Sequence, residues 1–403
     1  MKKNKSILGI LFLLLGTAHA TASAHAAHPI VELFSGQGAS GQAFWAGPTG
    51  RFASEDGRFF LMNIADKSGH AQIYLVDILS HQLTLVSQNK KGEAGNDDSW
   101  RAEMSRNGER VLYASDASNV DGLNDHGTKA MIFDAKLGYS YPFVKIASGE
   151  LLDTYPVDLS GDGSTALISS MIPLFAKSEK LSYNQLFAVD IAAQSPTMVT
   201  TLESGTYPPS DCTGEGLLSD SGRQMVFTSS SWLLDMSNPR FQNFRDHLYY
   251  RNFDTAKFIG DYAPSDDSLS QEVSGNGREL FRFERTNAGL FVRRIDTESG
   301  AIQDISIAGY ETERLVNASK TLSSNPTGNK LLAKVIDPKT KAYTILFLNF
   351  ETGASESIYA ESAPWAKGSS GANCTAQLIE EDSKAALFCY DWDWKFSIYK
   401  VKL

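Results

Sequence analysis

An all-β, seven-bladed propeller is the fold this sequence predicts, and three observations predict it. A Ser-x-Asp/Asn-Gly hairpin signal recurs at near-constant spacing. Each copy precedes a run of strand-forming residues. The last unit lacks one strand, and a segment near the amino terminus matches the missing piece.

The first element is a leader, Met1 to Ala26. Lys2, Lys3 and Lys5 precede a short apolar run, Ile7 to Leu15, and Ala24-His25-Ala26 offers a small-x-small cleavage site. That run is shorter than a membrane-spanning helix requires. Residues 27–403 are then expected to form a single propeller domain in the periplasm or outside the cell. Removing three lysines takes the net charge from −10 to −13. Such an acidic chain is a poor partner for nucleic acid or anionic membrane surfaces. No membrane insertion is expected, and the protein is expected to be a monomer. With 42% hydrophobic residues it can bury a large core.

The stretch that the rest of the chain repeats runs from Ser99 to Phe143. Ser99-Trp-Arg-Ala-Glu-Met104 leads into Ser105-Arg-Asn-Gly108, and Arg110-Val-Leu-Tyr-Ala-Ser115 follows. Asn-Gly favours a tight turn, because both residues tolerate positive φ. The serine hydroxyl can bond a turn amide. A polar loop, then Ala130-Met-Ile-Phe-Asp134 and Tyr141-Pro-Phe-Val144, complete four strands. Such a unit cannot bury both faces alone and must stack on copies of itself.

The copies follow in order: Ser54-Glu-Asp-Gly57, Ser105-Arg-Asn-Gly108, Ser160-Gly-Asp-Gly163, Ser219-Asp-Ser-Gly222, Ser274-Gly-Asn-Gly277 and the looser Ser324-Asn-Pro-Thr-Gly328. Their glycines lie 51, 55, 59, 55 and 51 residues apart. A seventh copy, Glu380-Glu-Asp-Ser383, has no glycine. Its unit has three strand candidates, and Pro29-Ile-Val-Glu-Leu-Phe34 can supply the fourth. Pairing the two ends in one blade removes free sheet edges.

Ser-x-Asp/Asn-Gly-Arg before a strand, with Ser115-Asp-Ala-Ser-Asn-Val120 and its Asp/Asn-rich loop, resembles the WD40-like, TolB-type propeller repeat of exported bacterial proteins. The match covers almost the whole mature chain and is closest over Ser99 to Asp134. The resemblance implies a scaffold for interactions and carries no catalytic residues. The chain differs from TolB itself in its longer blades and in showing no α/β domain before the repeats.

Enzyme signatures are absent: no Gly-x-Ser-x-Gly elbow, His-Glu-x-x-His or phosphate-binding glycine loop. His28, His70, His81, His126 and His247 show no ligand spacing and read as surface residues. Asn96-Asp97-Asp98 and Asp116, Asn119, Asp121, Asn124 and Asp125 are hard-oxygen residues of the kind that hold Ca²⁺. They lack the Asp-x-Asp-x-Asp-Gly spacing, so turn chemistry is favoured and no cofactor is expected.

Strand parity puts the long loops and the blade-to-blade crossovers on one face, opposite the Ser-x-Asp-Gly turns. Trp100, Arg101, Tyr207, Asp211, Trp232, Arg240 and Arg245 would lie there as ligand-binding residues. The alternative is that Trp232-Leu-Leu234 caps the interior. The favoured function is a non-catalytic propeller that binds a protein or glycan partner. The alternative is a polysaccharide lyase or hydrolase with its site at the central channel. Finally, Cys374 and Cys389 flank the turn 380–383 symmetrically, so an antiparallel hairpin sets them opposite each other. In an oxidising compartment they should form a disulfide, leaving Cys212 alone.

Overall fold

The computed structural model describes residues 30–37, 50–66, 68–120, 127–142, 154–170, 184–200, 216–229, 247–252, 255–261, 271–287, 289–312, 321–339, 343–360, 373–380, 383–390 and 395–403. They form seven antiparallel blades, the ring that TolB-type repeats imply. The channel-lining strands are a short segment at 51–54, then Ser99–Met104, Thr154–Leu159, Gly216–Leu218, Gln271–Val273, Leu322–Ser324 and Asn373–Ile379. We number the blades 1 to 7 in that order. In blade 1 the inner segment joins Phe59–Ala65 through a single bridge, Ala53 to Phe60. The leader lies outside the described residues.

The recurring turn works as its residues require. In blade 2 the amide of Gly108 donates to the carbonyl of Ser105 (2.9 Å), and Gly108 has φ 72°. A residue with a Cβ is strained there. The Ser105 hydroxyl donates to Asn107 Oδ1 (2.7 Å) and accepts from the Arg110 amide (3.0 Å). Ser54 with Asp56, Ser160 with Asp162 and Ser274 with Asn276 repeat the arrangement. In the glycine-less turn of blade 7, Glu380 takes the positive φ, 49°.

The apolar core lies between blades. Leu112, Ala130 and Ile132 of blade 2, for example, pack on Leu159, Ile168, Phe187 and Val189 of blade 3. Each blade thereby buries the face it could not bury alone. Nearer the axis, side chains two positions before the turn stitch neighbours together. Leu159 N donates to Glu103 Oε2 (3.3 Å), and Leu218 N donates to Asp158 Oδ2 (2.5 Å). Ser324 N donates to Glu272 Oε1 (3.2 Å), and Phe52 N donates to Gln377 Oε1 (2.9 Å).

The ring closes as expected. Ile30–Gln37 is the outer strand of blade 7 and pairs antiparallel with Lys395–Lys402, from Ile30 opposite Val401 to Gln37 opposite Lys395. Cys374 stands opposite Cys389 and the two form a disulfide, with Cα atoms 4.1 Å apart. Such a bridge is what an exported chain carries. Cys212 lies outside the described residues.

Candidate functional site at the crossover face

The two ends of the channel differ. At the turn end, the second residue of each turn points the chain toward its neighbours. Glu55 N donates to Arg106 O (2.7 Å), Arg106 N to Gly161 O (2.7 Å), Asp220 N to Gly275 O (2.7 Å), and Glu380 N to Glu55 O (2.5 Å). Across this ring lies one ion network. Arg106 of blade 2 donates through Nε to Asp220 Oδ1 of blade 4 (2.5 Å) and through Nη1 to Glu55 Oε2 of blade 1 (3.1 Å). The Asp220 carboxylate lies over Gly161 of blade 3 and Gly275 of blade 5. Burial pulls the Arg106 pKa down, but Asp220, Glu55 and Glu272 outweigh it and the net shift is upward. Slightly deeper, the buried Arg51 guanidinium donates to the carbonyls of Met104 (3.0 Å) and Leu159 (3.4 Å), beside Glu103. These groups occupy the turn end of the channel, opposite the crossover face.

On that face, the junction of blades 1 and 2 is built from the crossover 88–98. Gln72 is buried and clamps it, donating to the carbonyls of Gly95 (3.0 Å) and Asp97 (3.1 Å). Asn96 and Asn119 exchange bonds with the facing loop, including Asn96 N to Asn119 Oδ1 (2.9 Å) and Asn119 Nδ2 to Ala94 O (2.8 Å). Asparagines expected to serve turns therefore do so.

Asp97 and Asp98 do more. Held by the clamp, they meet His70 at the end of the 66–70 loop of blade 1. His70 Nδ1 is 3.6 Å from Asp97 Oδ1 and 3.8 Å from Asp98 Oδ1. One ligand atom from each residue lies within 4.8 Å of the others. Asp98 Oδ1 accepts from Ala71 N (2.7 Å) and Asp97 Oδ1 from Asp98 N (2.8 Å), which fixes both carboxylates and leaves lone pairs free. One imidazole and two carboxylates suit a divalent ion such as Mn²⁺ or Zn²⁺. Three protein ligands leave positions open, as catalytic sites do. The donor set fits a metal.

Trp100 and Arg101 stand immediately after this cluster, at the crossover end of the inner strand. Trp100 is half-buried and Arg101 exposed. Tyr207, Asp211, Trp232, Arg240 and Arg245 lie outside the described residues, as do Asp121, Asn124 and Asp125. Sequence reasoning missed His70 as a partner of Asp97 and Asp98. The usable signal was parity, since a second-to-third-strand loop and a crossover share one face. It also missed Glu55, Arg106 and Asp220, which occupy the unspecified position of the turn signal.

No protein-family model and no curated protein matches the chain. Among solved structures it is similar to an oligogalacturonate lyase in complex with manganese. The identity is 14% and the TM-score 0.56, over 93% of this chain and 96% of that one. It is also similar to the oligogalacturonate lyase of Vibrio parahaemolyticus, at 11% identity and TM-score 0.57, over 93% of each chain. A prolyl endopeptidase matches at 12% identity and TM-score 0.51, but over 49% of its own chain. Two expectations are corrected here. The favoured reading of a non-catalytic binding propeller gives way to its alternative, because the two oligogalacturonate lyases are alike over nearly the whole of both chains. The expectation of no cofactor gives way to the His70, Asp97 and Asp98 donor set, which scattered spacing in the sequence had concealed. The likeness itself is one of fold: a whole-chain propeller of the architecture on which those lyases are built.

Proposed function

We propose that this protein is an exported, periplasmic or secreted lyase that acts on oligosaccharides or polysaccharides at the crossover mouth of its channel. His70, Asp97 and Asp98 would hold a divalent cation. Trp100 and Arg101 would face the sugar, together with Tyr207, Asp211, Trp232, Arg240 and Arg245. The observation that carries the reading is the placement of the one three-residue His/carboxylate cluster among the described residues on the crossover face, opposite the Arg106–Asp220 network. The whole-chain likeness to two lyases supports it. A lyase breaks a C–O bond by elimination. A proton leaves the carbon beside a carboxyl group, a C=C bond forms, and the departing sugar oxygen takes up a proton. Bound between those side chains, the cation would supply positive charge beside that carboxylate and so favour loss of the neighbouring proton. The chain's own part is to fix the two aspartates through Gln72 and Ala71.

The test is to incubate the full chain with manganese and, separately, with pectate, alginate and a neutral galactan. Lyase action gives ultraviolet-absorbing unsaturated ends and new reducing ends together. Chelation, or His70→Ala, should remove most of the rate. Reducing ends without absorbance would make it a hydrolase, and no release from any polymer would overturn the proposal.

A further inference from the structure

The wedge between blades 4 and 5 departs from the plan of the ring. The fifth residue after the turn glycine is Met62 in blade 1, Tyr113 in blade 2, Ile168 in blade 3, Phe227 in blade 4 and Ala333 in blade 6, and all five are buried. They pack against apolar neighbours, as Ile168 does beside its ladder partner Phe187. In blade 5 the same position is Arg282, and its ladder partner is Arg293. Like charges set directly opposite each other are destabilising unless something shares them.

This row faces blade 4. Val273, Leu280 and Ile295 of blade 5 pair across the strands and pack on Val226 and Tyr250 of blade 4. Side chains two positions apart on a strand share its face. Gln271, Arg282 and Arg293 therefore form the next row toward the crossover face. Part of their charge is met within the blade. Glu284 Oε2 pairs with Arg282 Nη2 (3.1 Å), and Glu284 Oε1 lies 3.5 Å from Arg293 Nη1. Asp304 accepts from Arg293 Nε and Nη2 at 2.9 Å each. Two donors of the row are left. Arg282 Nε and Gln271 Nε2 are buried and have no hydrogen-bond partner among the described residues. They belong to residues directly opposite each other in the ladder. Buried donors of this kind call for an acceptor from outside the chain. The Arg282 and Arg293 side chains are 18% and 20% exposed, so a small ion can reach the row from solvent.

We propose that this wedge binds a tetrahedral oxyanion, sulfate or phosphate, through Arg282 Nε and Gln271 Nε2. An ionised acceptor gains more from a guanidinium than a neutral one does. Separate oxygens about one centre can take both donors at once and leave the others to solvent. The ion would answer the facing arginines and fasten blade 5 to blade 4, so binding would stabilise the folded ring. The His70, Asp97 and Asp98 cluster lies at the junction of blades 1 and 2, so this site stands apart from the proposed function.

The test titrates sodium sulfate, sodium phosphate and sodium chloride calorimetrically into the full chain at matched ionic strength, with melting followed in parallel. Sulfate raises melting temperatures by exclusion from any protein surface, so saturable binding and the variants decide. The wild type should bind sulfate or phosphate saturably and bind chloride more weakly. Arg282→Lys keeps the charge, loses the Nε donor and should bind about tenfold more weakly. Gln271→Glu sets a carboxylate opposite Arg282. It should melt above the wild type in chloride, because the acceptor is then built in, and it should bind neither oxyanion. Oxyanion binding that both variants lose sustains the proposal. Binding that survives both variants overturns it, and so does a lower melting temperature for Gln271→Glu in chloride. The wild-type titration needs no variant to fold: no saturable binding of either oxyanion, or equal binding of chloride, overturns the proposal by itself.

Discussion

Replacing Gly161 by Ala tests the ion network at the turn end of the channel. Gly161 is not among the residues with positive φ, so its backbone accepts an alanine. The obstacle is space. An added Cβ would stand 2.0 Å from Asp220 Oδ1 and 2.6 Å from its Cγ. The carboxylate must then withdraw, and it is the same oxygen that accepts from Arg106 Nε at 2.5 Å. The Arg106 and Asp220 side chains are 17% and 26% exposed, between the surface and interior cases. Exposed pairs contribute about 0.2–1 kcal/mol, and breaking a buried one costs about 3–5. A value near 2 kcal/mol is expected. The narrower unfolded ensemble of alanine returns about 0.4–1 kcal/mol, so the net loss should be about 1–2 kcal/mol. With Asp220→Gly in place these contacts, including the 2.9 Å approach of the Asp220 Cβ, are gone. Gly161→Ala should then be neutral or slightly stabilising, a coupling of about 2 kcal/mol. Urea unfolding followed by tryptophan fluorescence reads all four proteins. If the alanine costs the same with and without Asp220, the carboxylate is not what requires the glycine.

Other outcomes follow from the same structure. Removing the Cys374–Cys389 bridge, whose partners are 15 residues apart, should cost about 3 kcal/mol, and thiol counting on denatured, unreduced protein should find one free thiol. Deleting residues 30–37 should reopen blade 7 and lower the melting temperature steeply, whereas a truncated protein that melts like the full chain would contradict closure by that strand. Acid should destabilise. The Asp296 carboxyl is lowered to about 2 by the Ser299 amide and Arg278, and Asp77 is lowered by Arg58. Burial pushes Glu380 up, but Lys384 and Lys400 prevail and hold it down. A depressed carboxylate stabilises above its unfolded pKa and loses that contribution as pH falls through the folded value. Stability should therefore be full above about pH 5 and decline toward pH 2. A melting temperature that is flat across that window would refute the linkage.

The ring and its closure were legible because their chemistry is local. A serine, an Asp or Asn and a glycine at fixed offsets make one turn, and counting the turns counts the blades. The disulfide was legible for the same reason, since the centre of one hairpin decides which cysteines face each other. The site was not. His70 and Asp97 are 27 positions apart and meet only because a loop and a crossover emerge on one face. Arg106 and Asp220 sit where the turn signal allows any residue, and only the ring reveals that this position lies at the axis. Arg101 has φ 52°, yet nothing but glycine or asparagine advertises a left-handed backbone in sequence. Within the turn signal, the second-position glycines of blades 3 and 5 read as loop filler. They are clearances for a carboxylate from the blade between them.

Closure by Ile30–Gln37 also sets an order of assembly. Ile30 pairs with Val401, so the earliest strand to leave the ribosome or an export channel is the last to find its partner. Every other blade is a local product of consecutive hairpins and can form as it emerges. The contacts of widest sequence separation are made last, and they make the chain slow and vulnerable until then. Through that interval the blade 7 hairpin offers an open edge to any extended segment, including its counterpart on another copy. The cysteines lie inside this hairpin and need no contact from the amino terminus to meet. Oxidation can therefore finish the dock before the strand that must land on it arrives, which makes the speed of that oxidation a determinant of yield.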